Sequence, residues 1–256
     1  MKRSSGARLC ATAAVSVLSL ALITGCGGES DGSDDSKGTE SSSSQTQAAK
    51  ALSAAELEKL LLAQGEVKGY RVASGDDTLP KSKTEVKTDK AECDPLAWAT
   101  AGLAPGDTDA NASNTVAEDK ASTATAQPED IADAFNVNMT FVGLSSYEGD
   151  GAEKAMKAVS DGVSACSGGY GLTTGGEDSK VTKVASVKGS GLGDESVAFA
   201  EDVDMDGEGT ATFHTEVVRK GNTIATFYTV NFAALGTGKA AEIPAAVVEA
   251  QVAKLK

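Results

Sequence analysis

The sequence predicts a single α+β domain over residues 51–256, an antiparallel β-sheet with flanking α-helices and one disulfide. Three observations predict it. The last third alternates as strands do and contains a strong hairpin. Capped segments upstream carry apolar residues at helical spacing, and no internal repeat period appears. Helices covering one face of the sheet is the economical arrangement of such pieces.

Order begins at "LSAAELEKLLL". Ser53 is a suitable N-cap, Glu56 three residues later completes a capping box, and Leu52 is placed to staple onto Leu57. Leu57, Leu60 and Leu61 share one face and carry a helix to about Gln64, with Gly65 and Gly69 marking its end. "YRVAS" and "TEVKT" follow as short strands. In "CDPLAWATAG", Asp94 caps a short helix bearing Trp98, and Pro95 takes the first helical position, where its missing N–H costs nothing.

Residues 103–133, rich in Ala, Asp, Asn, Ser and Thr, read as mostly irregular with one strand near Thr115 and Val116. "FNVNMTFVG" then alternates as a half-buried strand. Phe135, Val137, Met139 and Phe141 fall on one face, and Asn136, Asn138 and Thr140 on the other. In "DGAEKAMKAVSDGVSACSGG", Ala152, Ala155, Met156, Val159, Val163 and Cys166 stand at helical spacing, and Gly168-Gly169 ends the helix. "KVTKVASV" and "ESVAFAED" are strands ahead of the hairpin "TATFHTEVVRKGNTIATFYTVNF", which turns at Lys220-Gly221-Asn222. Pro244 opens a last helix striped by Val247, Val248, Gln251, Val252 and Leu255.

The chain before this domain carries a different message. Lys2, Arg3 and Arg8 precede an uncharged, largely apolar run from Leu9 to Ile23, too short to span a bilayer in comfort and proportioned like an export signal. The run ends in Ile23-Thr24-Gly25-Cys26, which resembles the lipobox of bacterial lipoproteins. That resemblance implies cleavage after residue 25 and acylation of Cys26, whose thiol is the required nucleophile. Two or more acyl chains anchor a protein stably to a membrane where one does not. The expected location is the outer, extracytoplasmic face of the cell membrane. Residues 26–50 continue as a Gly/Ser/Asp-rich linker with almost no apolar content, spanning about 25–30 Å as a flexible chain.

Losing residues 1–25 removes three basic side chains and no acidic one, so the remaining chain carries 20 Lys and Arg against 37 Asp and Glu, a formal charge of −17. Such a charge argues against a nucleic-acid partner and against electrostatic adhesion to anionic lipid, and it suits cationic partners. Besides Cys26, Cys93 and Cys166 remain, in a compartment that permits a disulfide; two free thiols are the other reading.

The capped leading helix, the "CDPL" cysteine, the cysteine closing an Ala-rich helix, "GLGDES", "VVRKGNTIATF" and "IPAAVVEAQVAKL" occur in one order. Together they resemble actinobacterial sensor-domain-like lipoproteins related to the extracellular domain of PknH-type serine/threonine kinases, over roughly residues 50–256. The resemblance implies an antiparallel sheet with flanking helices, a Cys93–Cys166 bridge and a cleft for an unidentified ligand. This chain has cysteines for one bridge where kinase sensor domains of that type have two.

No motif specifies a reaction. Asp202, Asp204, Asp206 and Gly207 match positions 1, 3, 5 and 6 of a calcium loop, but the twelfth position is Phe213 instead of a bidentate glutamate and the flanks read as strands. Gly189, Gly191 and Gly193 lack the helix that a dinucleotide fingerprint opens, and read as a strand–strand turn. His214, the sole histidine, rules out His-cluster metal sites, and no serine sits in a nucleophile elbow. Trp98, Tyr70, Tyr147, Tyr170 and Tyr228 fit core positions better than a ligand-lined cleft. The expectation is a non-enzymatic, sensor-like module without cofactor that binds a small molecule or an envelope protein. The alternative is a structural or accessory protein docking on envelope proteins through an acidic face.

Overall fold

The computed structural model of the protein describes residues 50–74, 79–119, 136–206, 209–235, 237 and 239–256. The signal, Cys26, all of the linker except Lys50, Phe135 and Gly207 lie outside the described residues. Nine strands join into one antiparallel sheet: β1 (Tyr70–Ser74), β2 (Val86–Thr88), β3 (Asn111–Glu118), β4 (Asn138–Ser146), β5 (Tyr170–Thr174), β6 (Glu177–Ser186), β7 (Glu195–Asp204), β8 (Thr210–Lys220) and β9 (Thr223–Asn231). Their spatial order is β1-β3-β4-β9-β8-β7-β6-β5-β2. Among the described residues four helices flank it: α1 (Ala54–Leu60), α2 (Asp94–Thr100), α3 (Gly151–Ala165) and α4 (Ala245–Lys254). The α+β class and the flanking helices are as expected.

The one-sided cover is not. Helices α2 and α3 pack on one face of the sheet, and α1 and α4 on the other. Successive residues of the central strands are therefore both buried. Val217 and Ile224 join the core beneath α2 and α3, while Val218 and Ala225, one residue further on, join the core beneath α1 and α4. Burial on both faces erases the polar half of the alternation. Thr140, expected on a solvated face of β4, is fully buried and shares a hydrogen bond with Thr229 across the β4–β9 pair (Oγ1···Oγ1 3.0 Å).

Local chemistry explains where the elements begin and end. The Glu56 carboxylate accepts from the Ser53 N–H (2.8 Å) and hydroxyl (2.7 Å), which fixes the start of α1. The helix stops at Leu60, short of Gln64, because the next residues are claimed elsewhere. The Leu62 N–H donates to the buried Gln251 side chain (3.0 Å), and Gln64 Oε1 accepts from the Val72 N–H (2.9 Å) on the free edge of β1. That second bond blocks the edge against further strand pairing. At the opposite edge, β2 is only three residues long, because Lys83–Glu85 forms a 3-10 turn in place of the expected strand start.

Cys93, not Asp94, is the N-cap of α2, following a 3-10 turn at Ala91–Cys93. Asp94 instead accepts from the Thr88 hydroxyl (2.6 Å). The strand expected near Thr115 and Val116 is present, but as β3 it runs for eight residues, longer than its polar composition announces. There Asn114 is buried and donates to the Leu62 carbonyl (2.8 Å). After α2 the chain crosses the sheet at Gly143, where a Cβ would stand 2.3 Å from the Gly102 carbonyl oxygen. Only glycine permits so close a passage.

A disulfide joins Cys93 to Cys166, tying the head of α2 to the end of α3 across a separation of 73 residues. Both cysteines are fully buried in the core they share, so the free-thiol reading fails. Replacing both with alanine is expected to lower the unfolding free energy by about 4 kcal/mol, the loop-closure value for that separation. Urea denaturation of the two proteins measures it; an unchanged midpoint would show that the helices hold one another without the bond.

Candidate functional site

At the end of the sheet where β7 turns into β8 lies a depression of about 640 Å³. Its rim carries five carboxylates, Glu85, Glu177, Asp178, Asp204 and Asp206, and its apolar lining comes from Leu79, Pro80, Val203 and Met205. Two turns and one wall build it. The β5–β6 hairpin turns on Gly175 and Gly176, both at positive φ (62° and 89°), which sets Glu177 and Asp178 directly after the bend. The β7–β8 turn closes through the Met205 N–H to the Gly209 carbonyl (3.0 Å), with Asp206 in the left-handed region (φ 52°) that Asp tolerates.

The wall from Leu79 to Glu85 is clipped to α2. Lys83 donates its ammonium to the Gly106 carbonyl and lies over the Trp98 ring, 4.3 Å from its centroid. None of the ion pairs among the described residues involves the five rim carboxylates. Asp178 accepts from the Thr173 hydroxyl (2.6 Å), and Glu85 from the Lys81 N–H (3.4 Å) and Ser82 hydroxyl (3.3 Å).

Beneath the depression, facing α2, a buried polar network centres on Glu201 (3% exposed). Tyr170 donates its hydroxyl to Glu201 Oε1 (2.5 Å), Thr100 donates to Oε2 (2.8 Å), and Thr100 shares a further bond with Thr215 (Oγ1···Oγ1 2.9 Å). Burial raises the Glu201 pKa above the ordinary carboxylate value, and the two hydroxyl donors offset that only in part. Burial, then the neighbouring carboxyl, raises Tyr170 as well, so its phenol remains a donor.

The structure disperses most of the sequence candidates. Asp202 Oδ1 accepts from the Thr212 hydroxyl (2.7 Å), whereas Asp204 and Asp206 line the depression. Among the described residues no group of three or more His, Cys, Asp or Glu is arranged to hold a metal ion. The 189–193 loop is a structural clasp: Ser190 donates its N–H (2.7 Å) and hydroxyl (2.6 Å) to the buried Glu216. Asp194 accepts from the Gly221 N–H (2.7 Å). His214 sits half-buried between Ala200 and Thr229 in register.

Tyr147 and Tyr170 fill the core, and Tyr228 packs between Phe141 and Phe213 (centroids 5.7 and 5.6 Å). Among the described residues no aromatic side chain lines the depression. Sequence reasoning passed over Glu201 and three of the rim carboxylates, Glu85, Glu177 and Asp178. Glu201 had a signal: it interrupts the apolar face Val197, Phe199, Val203 of a period-2 strand.

No family model matches the chain, and no curated protein matches it. Among solved structures it is similar to the extracellular domain of PknH from Mycobacterium tuberculosis, at 15% identity over 80% of this chain and 95% of that one, with a TM-score of 0.46. It is also similar to a putative uncharacterized protein (Rv0999 ortholog) from Mycobacterium smegmatis, at 15% identity over 79% of this chain and 94% of that one, with a TM-score of 0.32. Likeness at this level assigns no function.

Glu201 makes stability depend on pH with a definite sign. Its folded-state pKa lies above the unfolded value, so its contribution is fully present below the unfolded pKa and is lost as pH rises through the folded one. The E201Q variant, neutral throughout, is expected to remove that part of the decline as pH rises above the ordinary carboxylate range. E201L leaves the Tyr170 hydroxyl unpaired and is expected to lose about 1–3 kcal/mol. Urea unfolding across the pH range measures both; parallel profiles for the parent and E201Q would rule out a buried proton.

Proposed function

We propose that the protein is a lipid-anchored, extracytoplasmic module that binds a small organic cation without transforming it. One observation carries the binding half of this reading: five carboxylates, with no ion pair among the described residues, gathered around an apolar lining in a concavity of about 640 Å³. That volume lies in the range of small-molecule sites. A flexible cation with a hydrocarbon body would place its charges at the rim and its methylenes on Leu79, Val203 and Met205. Concavity favours such a ligand over an envelope protein docked on a flat acidic face.

The anchor half rests on Ile23-Thr24-Gly25-Cys26 and the polar run after it. The oxidised Cys93–Cys166 pair fits a compartment outside the cytosol. No helix among the described residues is long and apolar enough to cross a membrane. A non-catalytic role is supported by the seclusion of Glu201 and by a histidine that hydrogen-bonds to no serine or carboxylate among the described residues.

Spermidine is the probe. At low salt it is expected to raise the melting temperature and to titrate calorimetrically to one site, with binding lost at about 0.5 M salt as screening demands. The double substitution E177Q/D178N is expected to weaken binding about tenfold, the value of roughly 1.4 kcal/mol of lost attraction. No heat and no thermal shift would reject the reading. For the anchor, Cys26→Ser is expected to move the protein from the membrane fraction to the soluble fraction and to abolish the acyl mass increment; unchanged fractionation would reject it.

A further inference from the structure

The elements that meet at Glu201 are the ones that build the depression. Glu201 and Val203 share one face of β7, two residues and about 7 Å apart, and Val203 lines the depression. Tyr170, the donor to Oε1, opens β5, and Thr174 at the other end of β5 reaches the rim. Thr100, the donor to Oε2, ends α2, and Gly102 just beyond it lies against Leu79 on the opposite wall. The carboxyl is thus sealed from solvent on the same face of β7 that carries Val203 to the depression.

Nothing basic compensates Glu201. Among the described residues no lysine, arginine or histidine pairs with it. The ionisable groups facing this network are acids: Tyr170 on β5, Tyr228 on β9, and Asp94 at the head of α2 beside Tyr170. The remaining elements packed there present none, since β6 offers Val181 and Val184, β8 offers Thr215, and α3 offers Met156 and Val159. A carboxyl in that setting holds its proton tightly, and a positive charge brought within roughly 10 Å loosens the hold by about one pH unit.

We propose that Glu201 is the proton-linked partner of the cation site: a cation seated in the depression expels the carboxyl proton to solvent, so affinity rises with pH across the range where Glu201 titrates. This rests on the cation-binding reading above. Linkage makes the effect reciprocal, because the protonated carboxyl offers the cation one negative charge fewer.

Calorimetric titration of spermidine into the full protein at pH 5.0–7.5, in pairs of buffers with different ionisation enthalpies, counts the protons released. The wild type is expected to release about half a proton per cation, at the maximum, more than E201Q, the amount that a one-unit shift produces. Rim carboxylates contribute equally to both proteins and cancel. E201Q is expected to bind spermidine with a flatter pH dependence. Tyr170→Phe keeps the carboxyl but deletes a bond that favours its ionised form, so its release maximum is expected at higher pH.

Equal proton release by the wild type and E201Q would overturn the inference while leaving the cation site standing. Failure of the wild type to bind spermidine would overturn both. Should E201Q not fold, as judged by circular dichroism, the Tyr170→Phe shift decides, and an unmoved maximum overturns the inference.

Discussion

A seven-residue helix cannot hold itself together in water, and α2 is that short. The covalent tie from Cys93 to Cys166 fastens its first turn to the much longer α3, and burial of Leu96, Ala97 and Ala99 does the rest. Much of the depression then depends on where α2 stands. Its Trp98 is the platform for Lys83, which fixes the wall opposite the hairpin turns, and its last residue, Thr100, supplies one of the two hydroxyls on Glu201. The glycine passage over Gly143 sets the direction in which the chain leaves. The disulfide therefore acts on the site through position, at a distance from any ligand.

Glu201 is an unusual occupant for a core otherwise built of aliphatic and aromatic side chains and the cystine. An ionised carboxylate sealed among Phe199, Val184 and the disulfide helices would cost several kcal/mol without a cation beside it. The protein supplies hydroxyls instead. Tyr170 and Thr100 can donate to the carboxylate, while the Thr100–Thr215 pair can also rotate to accept from the acid. A hydroxyl set that serves both protonation states lets the group change charge without leaving an unpaired atom in the core. That adaptability distinguishes it from Glu216, which receives two donors from Ser190 and serves to clasp a loop.

Legibility in the sequence followed the strength of local signals. The capping box at Ser53–Glu56, the apolar stripe of α3 and the hairpin β8–β9 were plain, because each is determined by residues close along the chain. Only the Thr115–Val116 middle of β3 was legible, since its other side chains are small and polar and their burial comes from α1 and its neighbours β1 and β4. Strand β5 and its turn into β6 were also missed, since only the Gly175-Gly176 pair marks them, whereas the body of β6 was legible in "KVTKVASV". Two-sided burial could have been suspected from the doublets Val217-Val218 and Ile224-Ala225, which a one-sided strand does not need. Asp204 and Asp206 were noticed only within a calcium-loop pattern, and Glu85, Glu177 and Asp178 were invisible for a statistical reason. With 37 acidic residues in the chain, the five that converge differ from the others only in three dimensions.

Where the acidic end lies along the sheet bears on how an anchored module would work. The described chain enters at Lys50, whose carbonyl accepts from Asn222 (2.9 Å) at the β8–β9 turn. Strand β7 begins beside that turn, with Glu195 opposite Arg219, and ends ten residues later with Asp204 at the depression. Entry point and depression thus stand at opposite ends of a strand about 30 Å long. At physiological ionic strength the field of surface charges decays over about 8 Å, so an acidic rim that far from the entry point is insulated from charges gathered there. An anionic membrane surface near the tether would then neither compete for the rim's cation nor repel the rim itself. If the protein is tethered and binds a cation as proposed, separation along one strand lets the two proceed independently.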